Sequence, residues 1–253
     1  MSQNHYTYQL INEGGKMVNF AVAFRKSFTD WRKLVIGIAL GFLPIIRWFV
    51  KGYIFESSGV GRVKPSTKMP EWSNMADLFI KGLVGTIISL AYMLPAIIVF
   101  VVGLGMTAVG LFRAFVGNVI TIESINSVAK GIVPLDTIMP TITNNWPLAI
   151  PAILRFIPVL LAAAILGLLG KYLIPIAILH YVKSGKVVHA FDIGTVCRKA
   201  FTLDYLLAWI AVAAVSAVVY FILAFVLLIG ISFAYFITGI FGYTLFGQVY
   251  REV

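Results

Sequence analysis

Forty consecutive residues, 83–122, contain a single charged side chain, Arg113. No half-wet soluble surface accommodates such a run, which is about twice the ~20 residues an α-helix needs to cross a bilayer. Further apolar runs occupy 34–55, 147–169 and 205–248. Hydrocarbon offers no water to backbone groups, so such segments must close their hydrogen bonds internally, as helices. The chain is therefore expected to be all-α, a polytopic transmembrane bundle. Composition agrees: 60% of the 253 residues are hydrophobic and 12% charged, against roughly 45–50% and about 25% in soluble domains. A soluble enzyme, a disordered chain and a disulfide-stapled secreted domain are excluded. The single cysteine, Cys197, has no partner for an internal bridge.

Gly103 and Gly105 offer a turn inside the longest run, dividing it into spans near 83–103 and 106–122. Together with 34–55, 147–169 and two spans within 205–248 broken near Gly230, the expected number is six. It falls to four or five if the glycine turns do not form. The apolar continuation through 170–181 lets the fourth helix run on past the bilayer. Pro44 is expected to kink the first span. Thirty-three largely polar residues precede that span without a small-x-small cleavage site, so no signal peptide is expected. The organisation is then a cytoplasmic N-terminal segment over 1–33, carrying an amphipathic helix, and a single helical transmembrane domain over 34–253.

Charge sets the expected orientation. The formal net charge is +10. With six spans and the N-terminus inside, inside segments hold 11 Lys and Arg and outside segments hold 5, in keeping with the positive-inside rule. The 56–82 connection, with four basic residues, is the weak point; were 34–55 re-entrant around Pro44, it would return to the cytoplasm. No Lys/Arg tract exceeds two residues, so the surplus suits anionic lipid heads and not nucleic acid. Two amphipathic stretches precede spans. In 16–28, Met17, Phe20, Phe24 and Phe28 share a helical face; in 186–201, Val187, Phe191, Cys197 and Phe201 do so roughly. Either they lie on the cytoplasmic leaflet as interfacial helices or they pack against the bundle. Arg25–Trp31 before the first span is echoed by Arg198–Tyr205 before the fifth and more loosely by Thr143–Trp146. The echo marks either a duplicated unit, as in many transporters, or, the preferred reading, capping and headgroup anchoring at each span start.

All ten acidic residues fall outside the expected spans or at their edges, so the intramembrane carboxylate typical of proton and cation pathways is missing. There is no G-x-S-x-G, H-E-x-x-H or phosphate-loop pattern, and His5, His180 and His189 lack ligand spacing. No catalytic residue, metal ligand or cofactor is expected. Basic residues do enter the spans: Arg47 and Lys51 in the first, Arg113 in the third, Arg155 in the fourth. A central arginine costs about 2.5–3.5 kcal/mol, so each needs compensation. Snorkelling serves Lys51 and Arg47; backbone carbonyls freed by Pro44, Pro151 or Pro158 serve Arg47 and Arg155; a shared polar cavity binding a phosphate or lipid headgroup would serve several. Arg47, Lys51, Arg113 and Arg155 are thus the candidate anion or lipid-headgroup contacts. Gly37-x-x-x-Gly41 and Gly230-x-x-x-Ala234 mark close helix approaches.

Several pieces carry a likeness: Phe24–Trp31 leading into Lys33–Gly37, Pro44-Ile45, Gly52-Tyr53, Met69-Pro70-Glu71-Trp72, Leu90–Pro95, Ile174-Pro175, Ser184–Lys186 with Ala190-Phe191, and Leu245–Arg251. On these the chain resembles domain of unknown function 4013, an uncharacterised multi-pass membrane family of archaea and some bacteria. The P-E-W and F-G-Q-x-Y-R pieces are the most specific; a leucine usually precedes the P-E-W proline, and here it is Met69. The resemblance implies a helical membrane fold and an archaeal source, and no activity, substrate or site residue. The expected function is a non-enzymatic membrane module at the cell membrane, associated with lipid, with a membrane-protein partner or with a second copy. The alternative is a permease or channel for a small anionic solute. A module requires a dry interior; a permease requires a wet cavity reaching Arg113 or Arg155.

Overall fold

The computed structural model describes residues 10–11, 17–43, 45–61, 67–115, 122–131, 146–223 and 227–252. Two short strands, β1 (Leu10–Ile11) and β2 (Met17–Val18), pair antiparallel. The helices are α1 (Phe20–Lys26), α2 (Trp31–Gly41), α3 (Arg47–Ser57), α4 (Met75–Phe115), α5 (Ile122–Ala129), α6 (Ile150–Ser184), α7 (Ile193–Ala200), α8 (Leu203–Leu223) and α9 (Leu227–Glu252). Short 3-10 turns lead into α6 and α7. Contacts divide the chain into one unit of Met1–Tyr92 with Lys171–Val253 and another of Met93–Gly170, so α4 and α6 each contribute to both.

The all-α expectation holds, and α4, α6, α8 and α9 are each long and apolar enough to cross a membrane. The protein is membrane-embedded. Among the described residues these are four spans, which corrects the expected six in two places. First, no turn forms at Gly103 and Gly105. The helix α4 runs unbroken for 41 residues, and Gly103 is used for packing, since a Cβ there would strike Val159. Second, 34–55 is no single crossing. It forms α2 and α3, eleven residues each, about 16 Å long at ~1.5 Å per residue and short of the ~30 Å hydrocarbon core. Pro44, expected to kink that span, lies outside the described residues, as do 116–121 at the end of the expected third span. The fourth helix does run on past 170, and the last two spans separate before Gly230, which lies inside α9.

The direction of α2 and α3 follows from what each touches along α9. Gly37 lies against Phe236 and Gly41 against Ser232, so α2 runs antiparallel to α9. On α3, Tyr53 stacks with Phe236, Ile54 meets Gly239 and Phe55 meets Tyr243, so it runs parallel. The chain thus runs along α9 in α2 and returns in α3. Two glycines let α3 then lie on the start of α4 with backbone against backbone. A Cβ at Gly52 would overlap the Leu78 carbonyl, and one at Gly82 the Trp48 carbonyl. The core of this unit is aromatic and aliphatic: Tyr53, Tyr205, Phe236, Leu179, Ile240 and Leu245 are fully buried.

Both amphipathic stretches pack against this unit. The short α1 buries Ala23 and Lys26 and turns Phe24 outward, its ring edge-on to Phe241 at 6.1 Å, and Phe28 just past the helix end is exposed as well. The helix α7 is capped by Asp192, whose carboxylate accepts from Thr195 N–H, and buries Val196 and Ala200. In the 93–170 unit, α4 and α6 form a close antiparallel pair, with Gly103 on Val159, Gly110 on Ala152 and Gly167 near Ala96.

Glycine substitutions separate the two kinds of site. Gly82→Leu forces a side chain into a backbone that cannot yield and should cost at least the ~1–3 kcal/mol of ordinary overpacking, read as a lower melting temperature in detergent. Gly105→Ala meets nothing within 4 Å and should be neutral or stabilising by up to ~1 kcal/mol through helix propensity.

Candidate functional site

The four basic residues singled out from sequence have different surroundings. Arg47, at the first turn of α3, donates from Nε to the Gly41 carbonyl at 3.3 Å and lies over the Tyr235 ring at 5.6 Å. Lys51, one turn on, donates to Thr86 Oγ1 at 2.9 Å. Arg113 and Arg155 lie in the 93–170 unit, near the last turn of α4 and the first turns of α6. Arg155 lines a cavity of about 200 Å³; the other three do not line it. Arg47, Lys51 and Arg155 share no hydrogen-bond partner among the described residues.

A different use of positive charge emerges at helix ends. The last four carbonyls of a helix have no partner within it, and the helix dipole makes that end attractive to cations. Gly41, the last residue of α2, is served by Arg47. The end of α3 is buried, and there Lys26, 3% exposed, donates from Nζ to the Ser57 carbonyl at 2.7 Å. Thr244 of α9 donates to the same oxygen at 3.2 Å, and Arg251 Nη2 reaches the Ser58 carbonyl at 2.8 Å. In the last turn of α9 the Tyr250 carbonyl accepts from Lys199, whose ammonium also lies 4.6 Å over the Tyr250 ring. Burial, with Lys183 and Arg198 nearby, holds Lys199 below the usual lysine pKa.

Next to the hairpin lies the larger cavity described, about 450 Å³, lined by Glu56, Lys68, Glu71 and Asp77 with Met69, Pro70, Ser73, Asn74 and Leu78. Its charges are largely cross-linked: Lys81 bridges Glu56 and Asp77, and Lys33 reaches Glu71. Pro70, Glu71 and Trp72 form a latch over the hairpin. The Pro70 carbonyl accepts from Tyr53 Oη at 2.8 Å, and Glu71 pairs with Lys33 at the start of α2. The Trp72 ring stacks on Tyr53 at 3.9 Å, with Phe236 behind. The Trp72 Nε1 is buried without a partner among the described residues, so this side chain acts by stacking and burial.

A family model described as protein of unknown function (DUF4013) matches residues 35–229. The chain belongs to this family. No curated protein and no solved structure matches it.

The likeness noted in the sequence now has a structural content. The P-E-W piece of the DUF4013 likeness is the latch just described. In the F-G-Q-x-Y-R piece, Gln248 accepts from Asn19 N–H at 2.8 Å and donates to the Asn19 carbonyl at 3.4 Å. Gly247 admits the Ser58 carbonyl, which a Cβ would strike, while Tyr250 Oη meets His180 Nδ1 at 2.5 Å. Sequence reasoning missed Lys26, Lys199 and Arg251 as functional cations of the fold because all three sit in polar-looking stretches. The available signal was their place beside helix ends.

The latch and the cap can be tested apart. Trp72→Ala removes a stacked aromatic and should cost about 3 kcal/mol. Glu71→Gln, at a side chain 73% exposed, should cost under ~1 kcal/mol. Lys26→Met leaves a buried carbonyl short of a donor and should cost about 1–3 kcal/mol. Thermal or denaturant unfolding in detergent reads all three.

Proposed function

We propose that the protein is a non-enzymatic membrane module that works by association, with its apolar 93–170 helix pair as the contacting element. The observation that carries this reading is the outward face of α4 and α6 in that unit. Ile98, Val101, Met106 and Phe112 on one helix, and Leu154, Leu161, Ile165 and Leu168 on the other, are all more than half exposed. Apolar area of that extent needs lipid or an apolar partner to cover it. The aromatic packing around Tyr53, Phe236 and Tyr205 supports a closed interior in the other unit and gives less support to the alternative, a permease for a small anionic solute.

The same reading assigns orientation. With α2 and α3 returning to one side, the 56–82 connection joins the N-terminal segment and the 170–204 connection. Its basic residues then add to the charge asymmetry they opposed in a six-span arrangement. The stretch 116–145 holds one basic residue, Lys130. By the positive-inside rule the N-terminal segment and the ends of α6 and α9 face the cytoplasm.

Cysteine labelling tests the contacting element. In a Cys197→Ser background, Ile98→Cys and Leu161→Cys in opened membranes should react with a water-soluble maleimide at least tenfold more slowly than Lys186→Cys. Equal rates would mean that the helix pair stands in water, and the proposal would fall.

A further inference from the structure

The helices α4 and α6 pinch together at two levels, Gly103 against Val159 and Gly110 against Ala152. Between these levels they part, leaving the cavity of about 200 Å³ flanked by Met106, Thr107 and Arg155. Met106 is 70% exposed and Arg155 is exposed, so the cavity opens on the flank that the membrane covers. Thr107 spends its hydroxyl proton on the Gly103 carbonyl at 2.9 Å. Arg155 makes no hydrogen bond, ion pair or ring contact with any described residue. It is an arginine in an apolar groove with its full donor fork unused.

We infer that this groove holds an anionic phospholipid, with the phosphate on Arg155 and an acyl chain along the Met106–Thr107 wall. The inference rests on the association proposed above and names its ligand. Three physical points favour this occupant. Guanidinium presents parallel N–H groups that match a phosphate bidentately. Helical side chains tilt toward the helix N-terminus, so Arg155 reaches back toward Trp146, an exposed tryptophan of the kind that anchors at headgroup depth. The distance fits as well: Arg155 lies five residues into α6, about 8 Å along its axis, within reach of a lipid phosphate. A free anion would satisfy the arginine alone and leave the apolar wall uncovered.

The test uses the full chain, delipidated in detergent, with bound lipid counted by native mass spectrometry. The probes are dioleoylphosphatidylglycerol, dioleoylglycerol and inorganic phosphate. Wild type should retain the phosphatidylglycerol at least tenfold better than dioleoylglycerol, and millimolar phosphate should not displace it. Arg155→Gln should lose at least tenfold, and Thr107→Leu, which fills the groove and keeps the charge, at least fivefold. Lys186→Gln should retain it fully, and unchanged helicity verifies each fold. Equal retention by Arg155→Gln and wild type overturns the inference, as does equal retention of dioleoylglycerol, displacement by phosphate, or an equal loss in Lys186→Gln. Slow labelling of Ile98→Cys together with unchanged retention in Arg155→Gln removes this inference alone. Fast labelling removes the association reading whatever the retention.

Discussion

A short helix that ends inside a low-dielectric core leaves carbonyl oxygens pointing at nothing, and α3 ends in that way. Ser57 and Ser58 are buried, and an unpaired acceptor there costs about as much as several well-packed methylenes gain. The remedy is drawn from across the chain. Lys26 comes from before the hairpin, while Thr244 and Arg251 come from α9 almost two hundred residues later. Ser57 and Ser58 turn their own hydroxyls back onto the Ile54 and Phe55 carbonyls. Because these donors must converge on one helix end, α1, α3 and α9 are fixed together. The Tyr53–Trp72–Phe236 stack then closes the other side.

This constraint reinterprets the surplus of positive charge. A membrane domain with few acids and many bases invites a search for an anion. Several of its cations answer instead to carbonyls: Lys26, Arg47, Lys199 and Arg251 each serve the end of a helix, while Lys33 and Lys81 pair with carboxylates. Cations suit that task because the dipole favours them there, and the carbonyl serves as acceptor without a counter-carboxylate. Arg155 meets no described carbonyl or carboxylate.

Much of this was legible in the sequence. Uncharged runs as long as 83–112 and 205–223 have no other physical outcome than membrane helices, and the end of 147–169 was open to continuation. What misled was glycine. Gly103 reads as a turn by propensity, yet its bare backbone serves the contact with Val159, a choice that depends on a partner helix about 56 residues away. The 34–55 run has the length and apolarity of a span, and composition alone does not separate one crossing from two half-crossings. The deciding information is spread over Gly52 with Leu78, Gly82 with Trp48, and Tyr53 with Pro70. Arg47 was partly legible: pairing with a freed carbonyl was one of its expected fates, and the structure supplies the Gly41 oxygen.

From the hairpin we infer that α2 and α3 enter and leave on one face, so that the chain before Trp31 and the chain after Ser57 share a compartment. Single cysteines bracketing the hairpin, Arg25→Cys and Ser73→Cys in a Cys197→Ser background, test it directly in sealed vesicles of known orientation with a membrane-impermeant maleimide. Labelling of both from the same face is the predicted result. Labelling from opposite faces would contradict it and return 34–55 to a full crossing.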